Sequence, residues 1–445
     1  MIREHIYTKA WAAALVLAAT GAQALMVDNS HRSQIAGIDL ITYRTNVRDV
    51  VSILGALPAG DAMAEPGNIA VPTLTGMMLD RGTKALDKFA ISDKLDNVGA
   101  EISFTVGAQS LEVRAKCLQK DLPLVLSLIA AELRDPALSA AEFAKAKQQF
   151  IGSLQRSLQN TAQRAQEAFG RAVFPDGHPN HPHAIEEYLA AAKAATLDEV
   201  KTFHAKYYGP KSFTLVLVGD VSADKTEPEI AKDFSGWSGG EAYLRPATPA
   251  HPPAGPREIT VPLSEKPSTS VVLGQPTGLH YRDPDALPLR VATAILGQGF
   301  TGRLMGTVRD REGLTYQIGA GMAEDSIADG EWSISASFAP ALLERGIAST
   351  RSVLDKWWQE GVTDVELAAR KKGLVGTYQV SLSTTGGLAG TILASILRGY
   401  DVGWLDAYPG AIDAITRDQV NRAIRTRLKP SAMVLVEAGS VGVAR

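Results

Sequence analysis

The segment Thr196-Leu197-Asp198-Glu199-Val200 returns 220 residues later as Thr416-Arg417-Asp418-Gln419-Val420. At the same offset Pro210 meets Pro430, Gly219 meets Gly439, and Leu215-Val216 meets Leu435-Val436. Upstream, Ile53-Leu54-Gly55 resembles Val272-Leu273-Gly274 at nearly that distance. A register held over most of a chain is a duplication, and it restricts the fold to two copies of one unit. The 445 residues are also too many for one ordinary core.

The repeat has a physical basis beyond matched letters. Four segments open S/T-x-x-E/Q: Ser139 to Glu142, Thr196 to Glu199, Thr363 to Glu366, and Thr416 to Gln419. Such a pair satisfies two orphan donors at a helix start, each from the other's side chain. Two fall in each half in the same order, so each half is expected to carry the same helices. Residues 51–54 and 271–273 read as opening strands, 213–218 and 433–436 as closing ones. Leu343, Ile347, Thr350, Leu354 and Trp357 have the spacing of an amphipathic helix. Each half reads as strand, helix, two or three strands, three helices and a last strand. That mixture predicts an α+β class: two homologous domains, each a largely antiparallel sheet packed with helices, arranged as a duplicated clam-shell.

Residues 236–258 hold Pro246, Pro249, Pro252, Pro253, Pro256, Gly236, Gly239 and Gly240, the composition of a semi-stiff linker. It divides an N-terminal domain at 25–235 from a C-terminal domain at 259–445. Residues 1–24 read as an export signal: Arg3 and Lys9 first, a short apolar run at 10–20, then Ala22-Gln23-Ala24 around a cleavable bond. The destination would be the periplasm if the source is a Gram-negative bacterium, with no membrane span after cleavage. A net charge of −3, with 21% charged residues, gives no reason to expect nucleic acid as a partner. Cys117, the only cysteine, sits in an alternating apolar run and reads as a buried strand thiol.

Gly82-Thr83 and the segment 95–100, ending Val98-Gly99-Ala100, stand where insulinase/pitrilysin zinc peptidases carry a Gly-Thr pair and a following Gly-containing strand. The resemblance to that metallopeptidase family extends from about Gly37 to Val441. It also shows a loss. The family's H-x-x-E-H helix binds zinc through two histidines on one face, with the glutamate between them activating water. Here the histidine positions fall on Thr73 and Met77, the glutamate position falls on Gly76, and the third ligand falls near Ser153. The resemblance therefore implies no metal cofactor in this chain, with zinc expected in a partner subunit.

The second half keeps more of the pattern. Arg309 and Tyr316, with Gly313-Leu314 between them, resemble the family's R-x6-Y element. In the family these residues reach toward the metal site, bind substrate backbone and support the oxyanion. The resemblance carries those roles onto Arg309 and Tyr316: a guanidinium is a permanent fork of donors, and a phenol can donate to a tetrahedral oxyanion. The bland reading is an Arg309–Glu312 pair on a surface turn, with Tyr316 merely packed. A chain without the metal helix but with this pair resembles the non-zinc subunit of a heterodimeric processing peptidase. Its partners would be a homologous H-x-x-E-H subunit and a peptide or unfolded protein substrate. Alone it would be inactive. The alternative is a non-enzymatic peptide-binding or scaffold protein with a retained fold. In the family the peptide joins a sheet edge of the zinc subunit; the matching edge here, near Ser103, is expected to be unused.

Three further motifs read as structural. His178, His181 and His183 lie in a Pro-broken loop that suits packing better than a shared metal. Gly236-Trp237-Ser238-Gly239-Gly240 matches G-x-S-x-G but lacks the strand-to-helix setting of a nucleophile elbow. Trp357-Trp358 reads as packing at a helix end.

Overall fold

The computed structural model describes residues 26–64, 67–245 and 249–441; the expected export signal lies outside them. The first half contributes β1 (Ser30–Ile35), β2 (Ile38–Arg44), β3 (Val50–Leu57), β4 (Glu101–Val106), β5 (Leu111–Leu118) and β6 (Thr214–Gly219). Its helices are α1 (Val71–Gly76), α2 (Lys88–Asp96), α3 (Leu122–Arg134), α4 (Ala140–Ser157), α5 (Thr161–Val173), α6 (Ile185–Ala194), α7 (Leu197–Tyr207) and α8 (Ala223–Asp233). The second half contributes β7 (Arg257–Pro262), β8 (Thr269–Pro276), β9 (Thr315–Ala323), β10 (Glu331–Phe338) and β11 (Val434–Gly439). Around them lie α9 (Ala286–Gly297), α10 (Leu343–Glu360), α11 (Asp364–Ser381), α12 (Thr385–Leu397), α13 (Trp404–Ala414) and α14 (Arg417–Arg427).

The sheet orders are β1-β2-β6-β3-β5-β4 and β7-β11-β8-β10-β9. With β1 removed the two orders correspond strand for strand. Both contain one parallel pair, β2–β6 and β7–β11, and are otherwise antiparallel. The duplication is therefore one of topology as well as letters. The central strand β6, covered on both faces, is buried throughout, whereas β5 alternates buried and solvent-facing positions. Cys117 is on the buried side of β5, where burial pushes its thiol up to about 12.

Two expectations need correction. Residues 51–54 and 271–273 lie in β3 and β8, which are not the first strands of their halves. The hairpin β1–β2 and the edge strand β7 precede them. β1 and β7 are mostly solvent-facing, so their sequences carry little apolar signal. Each half also holds more helices after its sheet-forming strands than the three expected. Of the four helix starts, Thr196, Thr363 and Thr416 form reciprocal boxes. Ser139 caps α4 without reciprocation, because the Glu142 carboxylate is taken by Lys88, Lys145 and Arg81.

Each sheet has an outer face covered by its own half. Val125, Ile129, Phe143 and Phe203 pack on the first; Leu289, Ile295, Leu354, Trp357 and Ile424 pack on the second. The inner faces are covered by exchange. From α12, Leu388, Ala389, Ile392 and Leu393 pack on Ile41, Leu54, Val216 and Val218 of the first sheet. From α5, Ala165, Phe169 and Val173 pack on Val272, Val434 and Val436 of the second. Neither half can bury its inner face without the other's helix, so the two form an interlocked pair. Among the described residues no single helix is long and apolar enough to cross a membrane. α11 and α12 pass that test only together, bent by 113°, and the apolar side of α12 is already covered by the first sheet.

Candidate functional site

The inner face of the second sheet is built from small side chains beyond the reach of α5. Ser333 and Ser335 of β10 lie opposite Gly321 and Gly319 of β9, and Ser335 and Ser337 lie opposite Val272 and Ser270 of β8. Residues directly opposite in an antiparallel pair share a face. Nothing lies within 4 Å of the place a Gly321 side chain would take. The result is a cavity of about 820 Å³ walled by α5 (Gln163, Gln166), β8, β9, β10, Phe300, Arg309 and Tyr316.

Arg309 leaves a π-helical turn, Met305–Arg311. The wide turn is closed by Glu312 N–H on Thr307 O, then by Gly313 N–H on Arg309 O and Leu314 N–H on Val308 O, with Gly313 at φ +63°. π-Turns are rare and concentrate at functional sites. The next strand begins at Thr315, whose hydroxyl donates to Ser337 O at 2.6 Å beside a register shift between Ala336 and Phe338. That fixes the direction of Tyr316, which is 84% exposed. The Arg309 guanidinium lies 5.2 Å from the ring centres of both Tyr316 and Phe300. The carboxylate it meets is Asp310, at 3.8 Å, and not Glu312. Tyr316 does not pack into the body of the fold.

Three further residues, one on this wall and two behind it, shape the site. Phe300, 72% exposed, is the second ring against Arg309. Arg370 on α11 donates to Gln298 O and Thr301 Oγ1, holding the loop that carries Phe300. Arg303 makes a two-pronged pair with Glu366 at 2.7 and 2.8 Å, tying the start of the π-turn to the cap of α11. The hydrogen bond from Arg303 holds Glu366 down at about 2.

The positions that the resemblance aligns with the zinc motif, Thr73, Gly76 and Met77, lie on α1 and its C-cap. Thr73 Oγ1 donates to Asp61 Oδ1 at 3.0 Å, and Tyr188 donates to Asp61 Oδ2 at 3.0 Å. Burial nevertheless pushes Asp61 up to about 6. A Cβ at Gly76 would stand 2.3 Å from Val106 Cγ2, so the space a glutamate needs there is filled. Met77 is half-buried and packs against the first core. Ser153 donates to Phe150 O within its own helix. Thr73, Gly76 and Met77 line a cleft of about 200 Å³ with Asp80 and Arg81. These residues do not fit a zinc ion: both Asp61 oxygens are occupied by Thr73 and Tyr188, Asp80 is a lone carboxylate with no histidine beside it in the cleft, and a side chain at the glutamate position would meet Val106. Among the described residues no three His, Cys, Asp or Glu side chains are grouped to hold a metal.

The remaining motifs resolve as packing. His178 Nδ1 accepts from the Asn180 amide, which leaves Nε2 to donate to Asp329 at 3.0 Å. His181 turns to Phe174 O and His183 toward Glu187, so the three rings do not converge. Ser238 follows α8 and precedes no helix; Gly239 and Gly240 allow the backbone to lie against Gly209. Trp357 stacks with Trp332 at 6.1 Å, and Trp358 donates to Leu428 O.

Fold and site together define a class: a duplicated α+β chain of two helix-packed sheets, each covered on its inner face by a helix of the other half. Residues 194–374 match the family described as Peptidase M16 inactive domain. The matched stretch includes both Arg309 and Tyr316. An uncharacterized zinc protease of Streptomyces coelicolor is 24% identical over 367 residues, covering 80% of this chain and 78% of that one. A protein of Helicobacter pylori described as the non-peptidase homolog YmxG is 20% identical, covering 83% and 84%. The crystal structure of a peptidase M16 inactive domain from Pseudomonas fluorescens has the same fold, with a TM-score of 0.84 at 24% identity, covering 94% of this chain and 99% of that one.

Proposed function

We propose that this chain is the non-metal subunit of a heteromeric zinc peptidase, lending Arg309 and Tyr316 to a site whose metal is held by a homologous partner. The supporting observation is the contrast within one molecule. The space beside Gly76 on α1 is filled by Val106, while Arg309 and Tyr316 stand on a cavity wall. In this reading Arg309 binds the carbonyls of an extended peptide, and the Tyr316 hydroxyl donates to the oxyanion that forms at the scissile carbon. The edge strand β9, paired only with β10, leaves main-chain groups beside them for such a peptide. Export to the periplasm, as the first 24 residues suggest, would place the pair among unfolded or imported peptides.

The test is reconstitution. The purified chain cleaves no peptide, and a mixture with an H-x-x-E-H partner does. In that mixture Arg309→Ala or Tyr316→Phe lowers turnover by roughly 10- to 1,000-fold without dissociating the complex. Unchanged turnover in both variants overturns the assignment. The resemblance to a protein described as a non-peptidase homolog supports a second reading: a peptide-binding protein with no catalytic partner, for which peptide affinity would depend on Arg309 while no mixture is active.

A further inference from the structure

A second cavity, of about 460 Å³, shares no lining residue with the first. It is walled by Arg245 from the segment joining the halves, His280, Tyr281 and Arg282 from the loop after β8, Ser326 from the β9–β10 loop, and Arg398 at the end of α12. Three guanidinium groups face it and no carboxylate does. Arg245 donates to Ile327 O at 2.9 Å, Arg282 to Gly399 O at 2.7 Å, and Arg398 to Ser326 Oγ at 3.2 Å. Each of these bonds uses one of five guanidinium donors, on a neutral acceptor. Among the described residues none of the three forms an ion pair. The acid that acts on Arg398, Asp325, is already paired with Arg290.

Two of these cations are held against aromatic faces. Arg398 lies 3.9 Å from the centre of the Tyr281 ring, which Arg290, outside the pocket, also meets at 4.4 Å, and Arg282 lies 5.2 Å from the Tyr400 ring. A ring face holds a guanidinium but does not neutralise it. Gly399, at φ +80°, lets Arg282 cross the helix end: a Cβ there would stand 3.0 Å from Arg282 Nη1. The end of α12 contributes roughly half a negative charge, far short of three cations. Burial pushes the Arg398 pKa down, the direction expected of a charge without its counter-ion.

We propose that this pocket binds a multiply charged oxyanion of the di- or triphosphate class, held by the forks of Arg245, Arg282 and Arg398. Three separated guanidiniums fit a chain of phosphoryl groups better than a single carboxylate, and the cavity has room for more than one such group. Guanidinium forks match phosphate oxygens two donors at a time. The ligand would join the inter-half segment, the second sheet's loops and the exchanged helix α12, so binding would stiffen the seam between the halves. The proposal does not depend on the peptidase reading.

Calorimetric titration of the purified full chain near physiological salt tests it, with orthophosphate, pyrophosphate and tripolyphosphate as probes. One saturable site is expected, tightening in that order, with a thermal midpoint that rises with tripolyphosphate concentration. Arg245→Gln and Arg282→Gln should each weaken tripolyphosphate by about tenfold. Without anion both variants should unfold no earlier than the parent, since removing one of three like charges relieves repulsion. No saturable heat with tripolyphosphate at millimolar concentration overturns the proposal. So does equal affinity in the double variant, or orthophosphate binding as tightly as tripolyphosphate.

Discussion

The guanidinium of Arg309 lies over the ring of Tyr316 at 5.2 Å and over Phe300 at the same distance, so two exposed rings flank one cation. A flexible side chain 28% exposed would otherwise sample many rotamers. The rings reduce that freedom before substrate arrives. Cation–π contacts at such sites contribute about 0.5–2 kcal/mol. In a reconstituted complex Phe300→Ala should therefore lower turnover by roughly 2- to 30-fold, less than removal of Arg309 itself. Phe300→Tyr should restore it. A Phe300→Ala complex as active as the parent would remove Phe300 from the site.

Gly76 stands where the resemblance to zinc peptidases expects the motif's glutamate. Because its missing Cβ would meet Val106 at 2.3 Å, Gly76→Ala should cost about 1–3 kcal/mol in urea unfolding. Val106→Ala, although destabilising alone, should recover part of that loss in the double variant, giving a coupling energy of about 1 kcal/mol. Additive effects would show that the helix simply shifts. On the same grounds His at 73 and 77 with Glu at 76 should not restore zinc binding unless Val106 is also trimmed.

The legible and illegible parts of the fold divide along physical lines. Thr196, Thr363 and Thr416 could be read as helix starts because a cap is local: the side chain and the amide it satisfies lie three residues apart. The spacing of Arg309 and Tyr316 could be read because both stand on one short turn-and-strand unit. The destinations of α5 and α12 could not. Phe169 and Ile392 announce a buried face, but periodicity does not say which sheet covers it. The edge strands β1 and β7 are mostly solvent-facing, so their sequences carry little apolar signal of an opening strand; β2 is buried and apolar, and its place before β3 is set by the sheet order. The arginine pocket escaped notice because Arg245, Arg282 and Arg398 come from three distant segments and only the fold brings them together.

The interlock makes the His178–Asp329 contact a stability device. Asp329 is fully buried. Burial opposes its charge, but the His178 hydrogen bond and the Ala250 amide outweigh burial and hold its carboxyl below the usual range. Asp329→Ala leaves His178 Nε2–H and the Ala250 amide without acceptors and should cost about 2–5 kcal/mol. It should also free the segment around Ala250, so limited proteolysis should cut between residues 236 and 256 faster than in the parent. A variant with parental stability and the same cleavage rate would show that Asp329 is not what fastens this segment.

Buried carboxyls give stability a definite pH slope. Glu132 on α3 is 1% exposed, its Oε2 meets no donor, and burial with the nearby Asp80 pushes it from 4.5 up to about 8. Burial likewise pushes Glu331 up to about 7, although Gln166 donates to it. Between the ordinary and the raised values the folded protein keeps protons that the unfolded chain releases, so stability falls as pH rises from about 4.5 to 8. Glu366 works in the opposite sense. Its carboxyl is held at about 2, so its contribution is full above 4.5 and disappears as pH falls through 2. The thermal midpoint should accordingly peak near pH 5 and decline on both sides. Glu132→Gln should leave the midpoint near pH 5 almost unchanged and raise stability at pH 8 by about 1–3 kcal/mol. If the alkaline decline keeps its full slope in that variant, the proton is held somewhere other than Glu132.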